Sequence, residues 1–114
     1  IPWSPLAGGL LAGKGKAEDG RRQADHMQAA MTARADQLNQ FEKLCADLGE
    51  TPSAIALAWL LHQPGIAATI VGPGALEQLT TVLHVPEIKL EPAVLDRLDE
   101  IFPPCGASPE AYAW

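Results

Sequence analysis

The spacing of hydrophobic residues changes along the chain, and each change marks an element. From about Thr32 the period is helical: Leu38, Phe41, Leu44, Cys45 and Leu48 fall on one face. Gly49 stands where that helix should stop, since glycine takes the left-handed C-terminal conformation without steric cost. Thr51 offers a hydroxyl N-cap to the next helix. Pro52 follows at the first helical position, where its missing N–H is no loss. The stretch "AIALAWLLH" is apolar nearly all round and predicts a largely buried helix that Pro64-Gly65 ends. Ile66 to Val71, "IAATIV", is a continuous apolar run closed by Gly72, the mark of a strand buried on both faces. Leu76, Leu79 and Leu83 give a further helix its stripe, and Glu91-Pro92 opens another carrying Val94, Leu95, Leu98 and Ile101. At the start, Ile1 to Trp3 reads as a short buried strand leading into the glycine-rich loop "SPLAGGLLAGK". Gly15 to Met27 is polar and broken by glycine, which predicts an exposed, mobile stretch. The tail "FPPCGASPEAYAW" has no period.

Strand, loop, helices, strand, tight turn and helix in that order imply a parallel βαβ connection. Two strands are too few for a parallel sheet covered on both faces. A (β/α)8 barrel needs about 250 residues, roughly 30 for each unit. The 114 residues here match the last two units plus a helix and tail, so the expected fold is α/β, a piece of a TIM barrel.

Composition narrows the function. Apolar residues make up 47% of the chain, and no apolar run reaches the roughly 18–20 residues of a membrane span. A net charge of −6 argues against nucleic acid as the main partner. Cys45 and Cys105 lack metal or redox spacing, and two thiols without a signal peptide fit a reducing cytoplasm. His26, His62 and His84 share no metal-ligand spacing; His62, late in its helix, should face the last carbonyls. The opening "IPWSPL", with no Met before an apparent strand, predicts that the chain starts inside a larger fold.

The turn "VGPGALEQL" puts two glycines between a strand and a helix. A tight turn needs them in any case, and such a turn also bares backbone N–H groups toward phosphate. Together, "PWSPLAGGLLAGK", "SAIALAWLLHQPGIAATIVGPGALEQL" and "PEAYAW" resemble the C-terminal third of bacterial aldo-keto reductases and the related β subunits of voltage-gated potassium channels. The resemblance covers nearly the whole chain and is weakest over Gly15 to Thr32. It implies that residues 1–114 form the C-terminal part of a single barrel domain that binds NADPH at the C-terminal ends of its strands.

Residue by residue, the resemblance gives Trp3 the place of the aromatic that stacks on the nicotinamide. Ser4, Pro5, Leu6, Ala7 and Gly8 would line the pyrophosphate, and Lys14 would stand near the cofactor phosphates. Arg21 or Arg22 would belong to a loop folding over the cofactor. Gly72, Gly74 and Gln78 would face the adenosine half, with Gln78 reaching the adenine, and Trp114 would line the substrate mouth. Each has a plainer reading: Trp3 and Trp114 as packing, Ser4 as a turn cap, Lys14 as a solvated charge, Gln78 as a surface helix residue. Two departures matter. Gly74 and Val82 stand where relatives carry polar groups for the 2′-phosphate side, which leaves NADH open beside NADPH. No residue matches the family's catalytic Asp, Tyr, Lys and His, so the chain alone should not catalyse. The expected activity of the parent is NAD(P)H-dependent reduction of aldehydes or ketones, with a small carbonyl compound as partner. A cofactor-holding regulatory module like the channel subunits, or a truncated product without activity, are the rival expectations. In every case the chain should need the missing barrel half or self-association.

Overall fold

The computed structural model describes residues 1–13 and 25–104. Five helices form there: α1 (Asp25–Ala33), α2 (Ala35–Leu48), α3 (Pro52–Leu61), α4 (Leu76–Thr80) and α5 (Pro92–Ile101). Short 3-10 turns span Ala7–Gly9 and Val85–Glu87. α3 is the centre of the packing. Thr51 caps it as the sequence requires: its Oγ1 accepts from the Ala54 N–H at 3.2 Å, one turn before the buried run Ala54–Ala58. α2 meets α3 at 89° across the left-handed Gly49, whose φ is 71°. α2 buries Leu38, Phe41 and Cys45, the face its period predicted, while Leu48 remains 38% exposed.

α5 closes the other side with Leu98 and Ile101 buried. Phe102 meets Phe41 edge-on at 5.7 Å between ring centroids, in the favourable T-shaped geometry. Polar links fix the same pair of helices. Gln37 Nε2 donates to the Ile101 carbonyl at 2.9 Å, and Arg97 donates to Gln40 Oε1 at 3.1 Å. Val85 and Leu90 complete the core beneath α3.

Several expectations need correction. Ile1 to Trp3 is not a buried strand: Ile1 is 77% and Trp3 81% exposed, and no strand forms among the described residues. Ile66 to Val71 is not helical, but neither is it a strand buried on both faces, since Ile70 and Val71 are exposed. A strand needs neighbours for its N–H and C=O groups, and here the two segments share one backbone bond, Ile70 N–H to the Pro2 carbonyl at 3.0 Å. The Leu76–Leu79–Leu83 stripe is broken as well. α4 stops at Thr80, where the hydroxyls of Thr80 and Thr81 bond the carbonyls of Glu77 and Gln78. Leu76 and Leu83 are then 76% and 65% exposed. Finally, the chain is already helical at Asp25, ahead of the change of period near Thr32. Met27, placed at the end of a mobile stretch by its sequence, is buried in α1.

Candidate functional site

The first candidate segment is the loop after Trp3. Ser4 and Ala7 hold φ of 53° and 50°, the left-handed region that costs a residue with a Cβ about 1–3 kcal/mol. Local bonds knit the loop. The Ala7 N–H donates to the Ser4 carbonyl at 3.0 Å, Gly9 N–H to Leu6 at 3.0 Å, and Leu11 N–H to Leu6 at 3.2 Å. Leu6 and Leu11 are half-buried against the core. At the far end Gly13, φ 89°, lies so close to Pro52 that a Cβ would stand 2.9 Å from its Cγ, so a side chain there would push the loop off α3. Trp3 is left projecting at the loop's mouth.

The second segment is Gly72 to Gln78. It begins within two residues of Ile70, and the first within two residues of Pro2, so the Ile70–Pro2 hydrogen bond makes their starting points neighbours. A Cβ added at Gly72 would meet open space, and at Gly74 only Gln78 Oε1 at 3.7 Å. The backbone there is accessible. Gln78 does not extend outward: its Oε1 accepts from the Gly74 N–H at 2.8 Å, closing the turn upon itself. Ala75, the residue before α4, has no side chain to cap that helix, and the amide of Gln78 secures the turn instead. Val82 is half-buried against the core.

Trp3, Ser4, Pro5, Leu6, Ala7 and Gly8 thus form one described loop, and Gly72, Gly74 and Gln78 a second segment that starts beside it. Lys14, Arg21, Arg22 and Trp114 lie outside the described residues, as do Cys105 and Tyr112. A groove of about 370 Å³ lies elsewhere, beside a hydrogen bond between His84 Nε2 and Glu50 Oε2 at 2.8 Å. None of the predicted site residues lines it. His62 does face the last turn of its helix: its ring Nδ1 lies 2.8 Å from the Ala58 carbonyl. The Leu90 N–H donates to Nε2 at 3.2 Å, which leaves the ring proton on Nδ1 and makes the histidine a structural link. Among the described residues no cluster of His, Cys, Asp or Glu could hold a metal ion, and no single helix is long and apolar enough to cross a membrane.

Sequence reading missed the contact of Met27 with Gly8. A Cβ built on Gly8 would stand 3.1 Å from Met27 Cε, and a lone methionine in a polar stretch gives no periodic signal of such a contact.

Comparison with known proteins completes the description. An uncharacterized oxidoreductase of Bacillus subtilis (strain 168), YrpG, is 46% identical over 116 residues, covering 100% of this chain and 35% of the relative. A putative voltage-gated potassium channel subunit beta of Schizosaccharomyces pombe is 34% identical over 87% of this chain and 32% of its own length. An uncharacterized oxidoreductase of Mycobacterium tuberculosis (strain ATCC 25618 / H37Rv) is 32% identical over 88% of this chain and 32% of its own. The chain spans about a third of the length of these relatives. The model of the aldo/keto reductase family matches residues 1–102, and the chain belongs to that family.

Proposed function

We propose that the protein carrying this chain is an NAD(P)H-dependent oxidoreductase that reduces aldehydes or ketones to alcohols. Family membership implies a (β/α)8 barrel; the proposed place of these residues in it is the last two units with the C-terminal helix and tail. The observation that carries the reading is the meeting of the two candidate segments at the Ile70–Pro2 bond, with Trp3 exposed on one and open backbone at Gly72 and Gly74 on the other. This set fits a dinucleotide. A flat aromatic face suits a nicotinamide ring, and side-chain-free backbone lets a phosphate or ribose approach closely.

When bound, the nicotinamide supplies the hydride for carbonyl reduction. The chain's own part is binding and orientation. Trp3 gives the stacking face. The Ser4–Gly8 loop would present backbone beside the pyrophosphate, and Lys14 with Arg21 or Arg22 would supply positive charge to the phosphates. Gly72 and Gly74 leave room on the adenosine side. Gln78 would exchange its bond to Gly74 for one to the adenine. Trp114 would border the carbonyl substrate. The acid–base group that protonates the product oxygen would come from barrel units outside this chain, since none of its residues matches that set. A cytoplasmic location belongs to the same reading.

The test is a titration of the full-length protein with NADPH and NADH, following Trp fluorescence, beside an assay of carbonyl reduction. Binding that Trp3→Ala weakens by about tenfold is expected for a lost aromatic stack of about 1.4 kcal/mol. Absence of binding for both cofactors would sink the reading. The channel-subunit relatives favour one rival, a cofactor-holding interaction module. Tight cofactor binding without turnover of any aldehyde or ketone would select it.

A further inference from the structure

We propose that Met27 is a positioning residue for the Trp3–Gly8 loop: carried on α1, it braces Gly8 and holds the loop in the shape that receives the dinucleotide. The inference rests on the cofactor reading of that loop. Its starting point is strain. Left-handed Ser4 and Ala7 persist only if their surroundings over-determine them. The bonds among Ser4, Leu6, Ala7, Gly9 and Leu11 are internal to the loop, so they fix its curl but not its place on the molecule. Fixing its place takes contacts from outside. Pro2 is tied to Ile70 at one end, and Gly13 rests on Pro52 at the other. Leu6 and Leu11 reach the core between them.

Over Gly8, φ 69°, the neighbouring atom is the Met27 methyl, close enough that a Cβ on Gly8 would meet it at 3.1 Å. α1 carries Asp25, His26, Gln28 and Thr32 beside three alanines and Met31. Met27 is its buried residue, and around it Asp25, His26, Gln28 and Ala29 are exposed. The one well-buried side chain of α1 is therefore placed against the loop's midpoint. A thioether suits that place, because three rotatable bonds let it follow an irregular backbone surface.

Met27→Ala and Met27→Leu in the full-length protein test the brace by two readouts, amide hydrogen exchange and cofactor titration. In Met27→Ala the amides of Ala7, Gly9 and Leu11 should exchange about tenfold faster, while that of Ile55 in α3 keeps its rate. If a tenth of the loop population then remains competent, the NADPH Kd rises about tenfold, with kcat at saturating cofactor retained. Met27→Leu restores the apolar bulk and should stay within about twofold in both readouts. Unchanged loop exchange in Met27→Ala overturns the proposal, as does an increase that Ile55 shares equally, which would report general loosening. Failure of the unsubstituted protein to bind either cofactor overturns the cofactor reading alone. The exchange result then still decides the brace.

Discussion

Cys45 shows how far burial alone can set a residue's chemistry. It is 1% exposed, and burial, aided by the neighbouring Glu42 carboxylate, pushes its thiol pKa up from 9.0 to about 12. The unfolded thiol ionises near 9 and the folded one does not, so unfolded chains bind fewer protons between those values. Stability is therefore expected to fall as pH rises from about 9 to about 12. Urea midpoints across that range should decline less steeply in Cys45→Ala, and a thiol reagent at pH 8 should leave Cys45 unmodified until denaturant is added. His62 carries a different kind of weight. Replacing it by Ala strands the Leu90 N–H and removes the bond to Ala58, an expected loss of about 1–3 kcal/mol in urea unfolding. At the turn proposed to face the adenosine, Gly74 has no side chain and Val82 is half-buried against the core. The full-length protein should then prefer NADPH over NADH by less than about 2–3 kcal/mol, roughly a hundredfold in Kd. A thousandfold preference would place the discrimination on Lys14, an arginine of the loop or a residue outside the chain.

Among the elements, those fixed by local chemistry were the ones readable in the sequence. Thr51-Pro52, Gly49 and Glu91-Pro92 mark ends of α2, α3 and α5 because caps and stops act over three or four residues. Their value is measurable. Thr51→Ala should cost about 1 kcal/mol, and Ile55→Ala, emptying a fully buried place in α3, about 2–5 kcal/mol. Ile1–Trp3 and Ile66–Val71 have the apolar character of buried strands but form none among the described residues, because a strand is completed by partners that lie elsewhere in sequence. The spacing of Leu76, Leu79 and Leu83 predicts a longer helix than α4, because it takes no account of the threonine hydroxyls competing for its carbonyls. α1 escaped notice because its burial rests on one methionine. The candidate site divides in the same way. Its segments follow from quoted motifs, but the turned-back Gln78 and the brace at Gly8 depend on contacts that no spacing reveals.

For the whole molecule, the decisive feature is apolar surface. Ile1, Trp3, Ile70, Val71, Leu76 and Leu83 are all exposed, and the first four belong to the two extended segments joined at Pro2 and Ile70. Extended edges with apolar side chains invite pairing with further strands, and patches beyond a few hundred Å² mark interfaces. Residues 1–114 expressed alone should therefore sediment as oligomers or aggregates and show no carbonyl reduction with either cofactor. A cooperative melt from a monodisperse monomer would contradict the first expectation, and turnover the second.

The Ile70–Pro2 bond also sets an order of events. Contacts between α2 and α3 close short loops and can form within the time of local helix formation. Pro2 must instead wait until three helices have been made and the chain has returned as Ile70. During synthesis the segment from Ile1 to Trp3 leaves the ribosome well before Ile70, the residue whose N–H holds Pro2. A chain stalled before Ile70 would carry an α2–α3 pair and an Ile1–Trp3 segment without its bond to Ile70, which makes that segment a place where a protease would cut a nascent chain but not a finished one.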